Sequence, residues 1–170
     1  QEMGNMLAAK LGCQQWRPED SELVNRVFDL LQQAEVDMTL FFRRLAYLDV
    51  TQPDLSWLTE AFYRDDLFVQ HQPAFTQWLS DYSQRVLSEG VLPEDRAVWM
   101  NQVNPVYVLR NYLAQQVIDA AEQGDYQPIA ELLEVLRHPY TEQPEKAAYA
   151  QKRPDWARHK PGCSMLSCSS

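Results

Sequence analysis

Apolar residues recur at three- and four-residue intervals along most of the chain, and no stretch alternates as a half-buried strand would. Arg17-Pro18-Glu19-Asp20-Ser21 predicts a first helix, with proline and acids where a first turn favours them. Its stripe is Leu23, Val24, Val27, Phe28, Leu30, Leu31 and Ala34. Asp37 is placed to cap a second helix carrying Leu40, Phe41, Leu45 and Leu48. Beyond the turn Thr51-Gln52-Pro53-Asp54, Leu55, Leu58 and Phe62 mark a third. A fourth is expected from about Pro73 to Glu89, stopped by Gly90, with Phe75, Trp78, Leu79, Tyr82 and Val86 on one face.

Pro93-Glu94-Asp95 starts a short helix with Ala97, Val98 and Met100. Asn104-Pro105 reads as a cap followed by proline at the first helical position, opening a long stripe of Val106, Leu109, Leu113, Val117 and Ala120 that ends at Gly124. Asp125 caps a last helix with Ile129, Leu132, Leu133 and Leu136, which Pro139 stops. The expectation is an all-α fold of about seven main helices. Its core is expected to use Leu23, Phe28, Leu31, Phe41, Leu45, Trp78, Leu79, Leu109, Leu113, Leu132 and Leu136. After Pro139 the character changes: Pro144, Pro154 and Pro161 break the chain into short pieces. Tyr140, Tyr149 and Trp156 suggest that this irregular tail packs on the body, up to a mobile end from Gly162 to Ser170.

The chain has 170 residues, 45% of them hydrophobic, enough for one domain with a real core. It begins at Gln1 without signal-peptide features and has no long apolar run, so the expectation is a partial, cytoplasmic chain with no membrane segment. Net charge is −9, which argues against a nucleic-acid partner. The charge is uneven. Residues 144–170 hold Lys146, Lys152, Arg153, Arg158 and Lys160 against Glu145 and Asp155, leaving 10 bases and 22 acids in the first 143 residues. A basic tail lying on its own acidic body accounts for this more simply than an anionic ligand does.

No glycine-rich phosphate loop, metalloprotease motif, serine-nucleophile elbow, CxxC or kinase catalytic signature is present. No catalytic, cofactor-binding or metal residue is therefore assigned. His159, Cys163 and Cys168 are too few for a closed zinc site. His71 and His138 stand alone beside turns. The tryptophans Trp16, Trp57, Trp78, Trp99 and Trp156 read as core before they read as a stacking platform. Arg43-Arg44 suits an ion pair with a surplus carboxylate better than a phosphate. Three cysteines, Cys13, Cys163 and Cys168, fit a reducing compartment with any disulfide regulatory.

One run is more specific: Asn104-Pro105-Val106-Tyr107-Val108-Leu109-Arg110-Asn111-Tyr112-Leu113, in which Arg110 and Asn111 sit among apolar residues. With Met6 to Gly12, Asp37 to Leu45, Gly124-Asp125-Tyr126, Arg153 to Ala157 and the ending Ser167-Cys168-Ser169-Ser170, it closely resembles the selenoprotein O family. The resemblance implies the C-terminal portion of a protein-kinase-like fold, a pseudokinase that transfers AMP from ATP to protein hydroxyls with a divalent metal such as magnesium. On that reading residues 1–16 end the upstream kinase-like region, 17–139 form a helical domain and 140–170 a Pro-rich tail. The partners implied are that upstream catalytic region and the protein substrates, and the family's catalytic and metal residues lie upstream of this chain. Cys168 stands third from the end, where some family members carry selenocysteine, and makes it and Cys163 the redox candidates. Those members tend to place a cysteine three residues earlier, where this chain has Met165; Cys163 is five earlier. Two function classes stay open: the helical C-terminal region of a protein adenylyltransferase, bracing the catalytic lobe and regulated through its thiol, and a non-catalytic helical protein-interaction module.

Overall fold

The computed structural model describes residues 2–161 and 163 and is all-α among them. Seven α-helices follow one another: α1 (Glu2–Leu11), α2 (Asp20–Gln33), α3 (Met38–Leu45), α4 (Asp65–Leu87), α5 (Pro93–Val103), α6 (Asn111–Glu122) and α7 (Gln127–Arg137). Short 3-10 helices occupy Ser56–Ala61, Pro144–Ala150 and Asp155–Arg158. The only extended pairing among the described residues is an isolated bridge between Val36 and Phe62. No described helix is long and apolar enough to cross a membrane. The chain divides into two compact units, Gln1–Asn104 and Pro105–Ser170.

In the first unit α2 packs on α4, α1 on α5, and α3 against both α5 and the 3-10 helix Ser56–Ala61. The α2, α3 and α4 stripes meet in an aromatic centre. Phe41 touches Phe42, Trp57, Phe75 and Trp78, and Trp78 lies flat on Tyr82 with ring centroids 5.0 Å apart. The buried Trp78 indole donates to the Leu23 carbonyl at 2.9 Å, so its polar edge is satisfied. Asp37 caps α3 as its position predicts, accepting from the Leu40 amide at 3.0 Å and from the Tyr63 hydroxyl at 2.8 Å.

Charged groups close the helix ends. Arg96 of α5 is 1% exposed. It donates to the carbonyls of Leu45 (3.3 Å) and Leu48 (2.5 Å), at and just beyond the C-terminus of α3, and to the Tyr82 hydroxyl (2.9 Å). Tyr82 in turn donates to the carbonyl of Leu11, the last residue of α1. Arg43 of α3 donates to the carbonyls of Asn101 (3.3 Å) and Asn104 (3.2 Å), at the C-terminus of α5. Arg85 of α4 forms a fork with Asp20 (2.6 and 3.0 Å), reaches Glu89 (2.8 Å) and donates to the Gln15 carbonyl. Gly12 has φ +74, and a Cβ there would lie 2.7 Å from both Arg96 Cγ and Met100 Sδ, so the turn after α1 requires glycine.

In the second unit α6 packs on α7. Tyr112, Leu113, Leu132, Ala157 and Cys163 are buried together, with Val117, Leu136 and Tyr149 packed against them. Trp156, half exposed, meets Tyr112 edge-on at 6.2 Å, and Tyr149 packs against the buried cluster, while Tyr140 is exposed.

Several expectations need correction. The third helix is a 3-10 turn, not an α-helix. α4 starts eight residues before Pro73 and carries that proline inside it. A proline there leaves the Val69 carbonyl without its amide donor, and both residues are exposed, so water can satisfy it. α1 was not foreseen, and the long helix does not start at Asn104-Pro105. Asn104 is extended, and its side chain is spent on Lys10, donating to the Lys10 carbonyl and accepting from its ammonium, both at 2.9 Å. The amides of Val106 and Tyr107 both donate to the Pro139 carbonyl, at 2.8 and 3.2 Å. The backbone stays out of a helix until α6 begins at Asn111, and Leu109 leaves the expected core at 55% exposed. Ile129 and Leu133 also lie outside, while Val135 takes a buried place. Phe28 and Leu136 are half-buried but pack against core clusters.

Two substitutions check this wiring by urea denaturation. Asp37→Ala removes a cap and a tyrosine bond and is expected to cost about 1–2 kcal/mol. Arg96→Met is expected to cost more, about 3 kcal/mol, because the α3 carbonyls and Tyr82 lose a charged donor while buried.

Candidate functional site

The thiols are the chain's chemically active candidates, and the structure separates their environments. Cys163 lies in the second unit at the turn closing the 3-10 helix Asp155–Arg158, its amide donating to the Lys160 carbonyl at 3.1 Å. It is fully buried and free of any disulfide. Lys160 pairs with Asp119 of α6, which holds the tail down beside the thiol. That hydrogen bond, more than any other interaction, holds the Asp119 carboxyl below the usual aspartate range and raises Lys160. Basic tail and acidic helix thus meet within this unit. Cys168 lies outside the described residues.

Cys13 lies in the first unit, buried at the end of α1 beside the Arg85–Asp20–Glu89 cluster. Burial pushes its thiol up to about 12; Arg85 opposes the shift, while the carboxylates of Glu89 and Asp20 add to it. A thiol held protonated in this way is not a nucleophile at neutral pH. The other candidates are structural. Arg44 pairs with Glu60 on the surface, as expected, while Arg43 serves carbonyl oxygens. His138 is exposed beside Glu134, and His159 is exposed while Cys163 is buried, so these do not face a common ligand. Trp78 is core, Trp16 and Trp57 pack against it, and Trp99 and Trp156 are exposed.

Sequence reasoning missed Arg96 and Lys10. Arg96 sits in the first turns of a short helix whose apolar pattern is weak, so nothing in the spacing sets it apart. Lys10 bonds Asn104, 94 residues further along the chain, and lies 4.1 Å from the centre of the Phe42 ring. The described residues bring no three His, Cys, Asp or Glu side chains together that could hold a metal ion.

A family model described as "Protein adenylyltransferase SelO" matches residues 1–137. The chain belongs to the SelO family. It is 85% identical over its full 170 residues to a "Protein nucleotidyltransferase YdiU" of Tolumonas auensis, and 56% identical over 169 residues to a protein of the same name from Methylobacillus flagellatus. In both, the matched part is 33% of the relative's length, so this chain spans about a third of the SelO proteins it resembles. The SelO match ends at Arg137, the last residue of α7, and the tail that buries Cys163 lies beyond it.

The Cys13 thiol carries a pH test. A folded pKa raised above the ordinary thiol value of 9.0 stabilises the fold fully below pH 9 and loses that contribution as pH rises towards about 12. The stability gap between the wild type and Cys13→Ala, measured by urea unfolding, is therefore expected to narrow between pH 9 and pH 11. In the native chain at pH 8, alkylation of Cys13 and Cys163 is expected to proceed at the rate of unfolding, read by mass spectrometry of the labelled peptides.

Proposed function

We propose that this chain is the C-terminal helical region of a protein adenylyltransferase, which transfers AMP from ATP to hydroxyl side chains of proteins and has a protein-kinase-like catalytic portion elsewhere in the polypeptide. The observation that carries this reading is the SelO family match over residues 1–137, joined to 85% identity with a nucleotidyltransferase three times as long. The chemistry of phosphoryl-type transfer is mostly positioning of metal and phosphate by dedicated residues. The part played by this chain is mechanical: two helical units, with helix ends locked by arginines and a tail locked by aromatics, brace the catalytic portion.

The terminal thiol adds regulation. Cys168 follows Cys163 by five residues in the sequence and, on this reading, pairs with a thiol elsewhere in the longer polypeptide. A disulfide forms when the two thiols give up two electrons and two protons to a small-molecule disulfide, which is reduced to two thiols. The new bond draws the tail across the catalytic portion, and reduction releases it.

The test uses the full-length protein with labelled ATP and magnesium. It is expected to attach AMP to protein hydroxyls, whereas the 170-residue chain alone is not. Failure of the full-length protein to transfer AMP overturns the reading in favour of a helical interaction module. Oxidised full-length protein is expected to be several-fold less active than reduced, and Cys168→Ala is expected to abolish the difference. Equal activity of the wild type under both conditions removes the switch and leaves the transferase reading standing.

A further inference from the structure

α7 is apolar around more of its circumference than its own unit covers. Leu132 and Val135 are buried, and Leu136 packs against the same clusters. Along one edge of that stripe Tyr126, one residue before the helix, is 66% exposed, Ile129 36% and Leu133 54%. The spacing of these three is i, i+3 and i+7, which sets them in one line along the helix. Scattered exposed apolar residues are ordinary, but three in line form a patch. The apolar face of α7 is thus wider than the part its own unit covers, while Glu131 and Glu134 mark the polar side.

We infer that the Tyr126–Ile129–Leu133 face of α7 is a docking surface for the remaining two-thirds of the longer polypeptide. This rests on the reading of the chain as part of a SelO protein. The relatives are about three times as long as this chain, and the family match extends through α7, so the face belongs to the part shared with them and the rest of the polypeptide is its occupant. The chemistry of the face narrows the partner surface. Its centre is aliphatic, its N-terminal end offers the Tyr126 ring, and its C-terminal end is closed by Arg137, paired with Glu134 at 2.9 Å. The surface that covers it is therefore apolar, with a polar rim at the Arg137 end.

Hydroxyl-radical footprinting tests this directly, comparing the full-length protein with the 170-residue chain at several concentrations. Side-chain labelling of Tyr126, Ile129 and Leu133 is expected to fall at least five-fold in the full-length protein. Exposed Leu92 and Val98 on the first unit serve as a comparison. Equal labelling in both forms overturns the inference. Protection that appears in the short chain as its concentration rises shows a second copy as the occupant and overturns it as well. Leu133→Glu in the full-length protein is expected to restore labelling of Tyr126 and Ile129, and unchanged protection in this variant also counts against the face. AMP transfer by the same preparations is scored separately, so a protein that transfers AMP with α7 unprotected refutes the docking face alone.

Discussion

The first unit depends on a reciprocal exchange of arginines between α3 and α5. Arg43 leaves α3 to satisfy carbonyls at the end of α5, and Arg96 leaves α5 to satisfy carbonyls at the end of α3. The last carbonyls of a helix have no intrahelical donor and carry partial negative charge, so a guanidinium is a fitting partner for them. The exchange sets the two helices in one register, because each end has to meet a donor of fixed reach from the other. Arg96 has no directly bonded carboxylate among its described partners, which are carbonyl and hydroxyl oxygens and the Met100 sulfur. Asp49 lies near enough for Arg96 to add slightly to the lowering of its carboxyl, which the Thr51 hydroxyl dominates. The positive charge is thus met mostly by dipoles.

The Arg85 fork does the same work by other means. Its carboxylates are buried with it, and the Gln15 carbonyl completes the set. Breaking one partner of such a cluster leaves an uncompensated charge, which makes it a strong determinant of how the segment between α1 and α2 is laid down. Cys13 lies beside the same cluster, but its inertness comes first from burial, which Arg85 opposes and the two carboxylates reinforce.

What the residues reveal in advance is the part governed by local rules. The stripes of α2 and α4 and the Asp37 cap follow from spacing and from short side chains that accept backbone amides, and they appear where expected. The misses share another cause. Asn104-Pro105 has every local mark of a helix start, yet Lys10 takes the asparagine side chain and Pro139 takes the next amides, both from far along the chain. Ile129 and Leu133 fit the helical period as well as Leu132 does, and only the position of the tail decides which side is covered. Arg96 is invisible because an arginine in a short helix looks like surface until the carbonyls it serves are known. The thiol candidates divide in the same manner: the resemblance at the chain end singled out Cys163 with Cys168, but the burial of Cys163 depends on Trp156 and Lys160 finding α6. The family was legible from the run around Asn104 and Arg110, even though the local structure of that run was not.

The pairing of Lys10 with Asn104 has a consequence for how the chain is made. It joins residues 94 apart, and α1 and α5 are mutual neighbours, so the first helix of this unit waits for the last. At about 5–20 residues per second, synthesis takes roughly 5–20 seconds to cover that interval, and longer before the second partner clears the ribosome. During that time the inner face of α1, with Ala8 and Leu11, has no α5 to lie against, and the Arg96 lock on the end of α3 cannot form. The unit is assembled by closure, not by growth from one end, and its nascent form presents an apolar helix to whatever guards the exit tunnel.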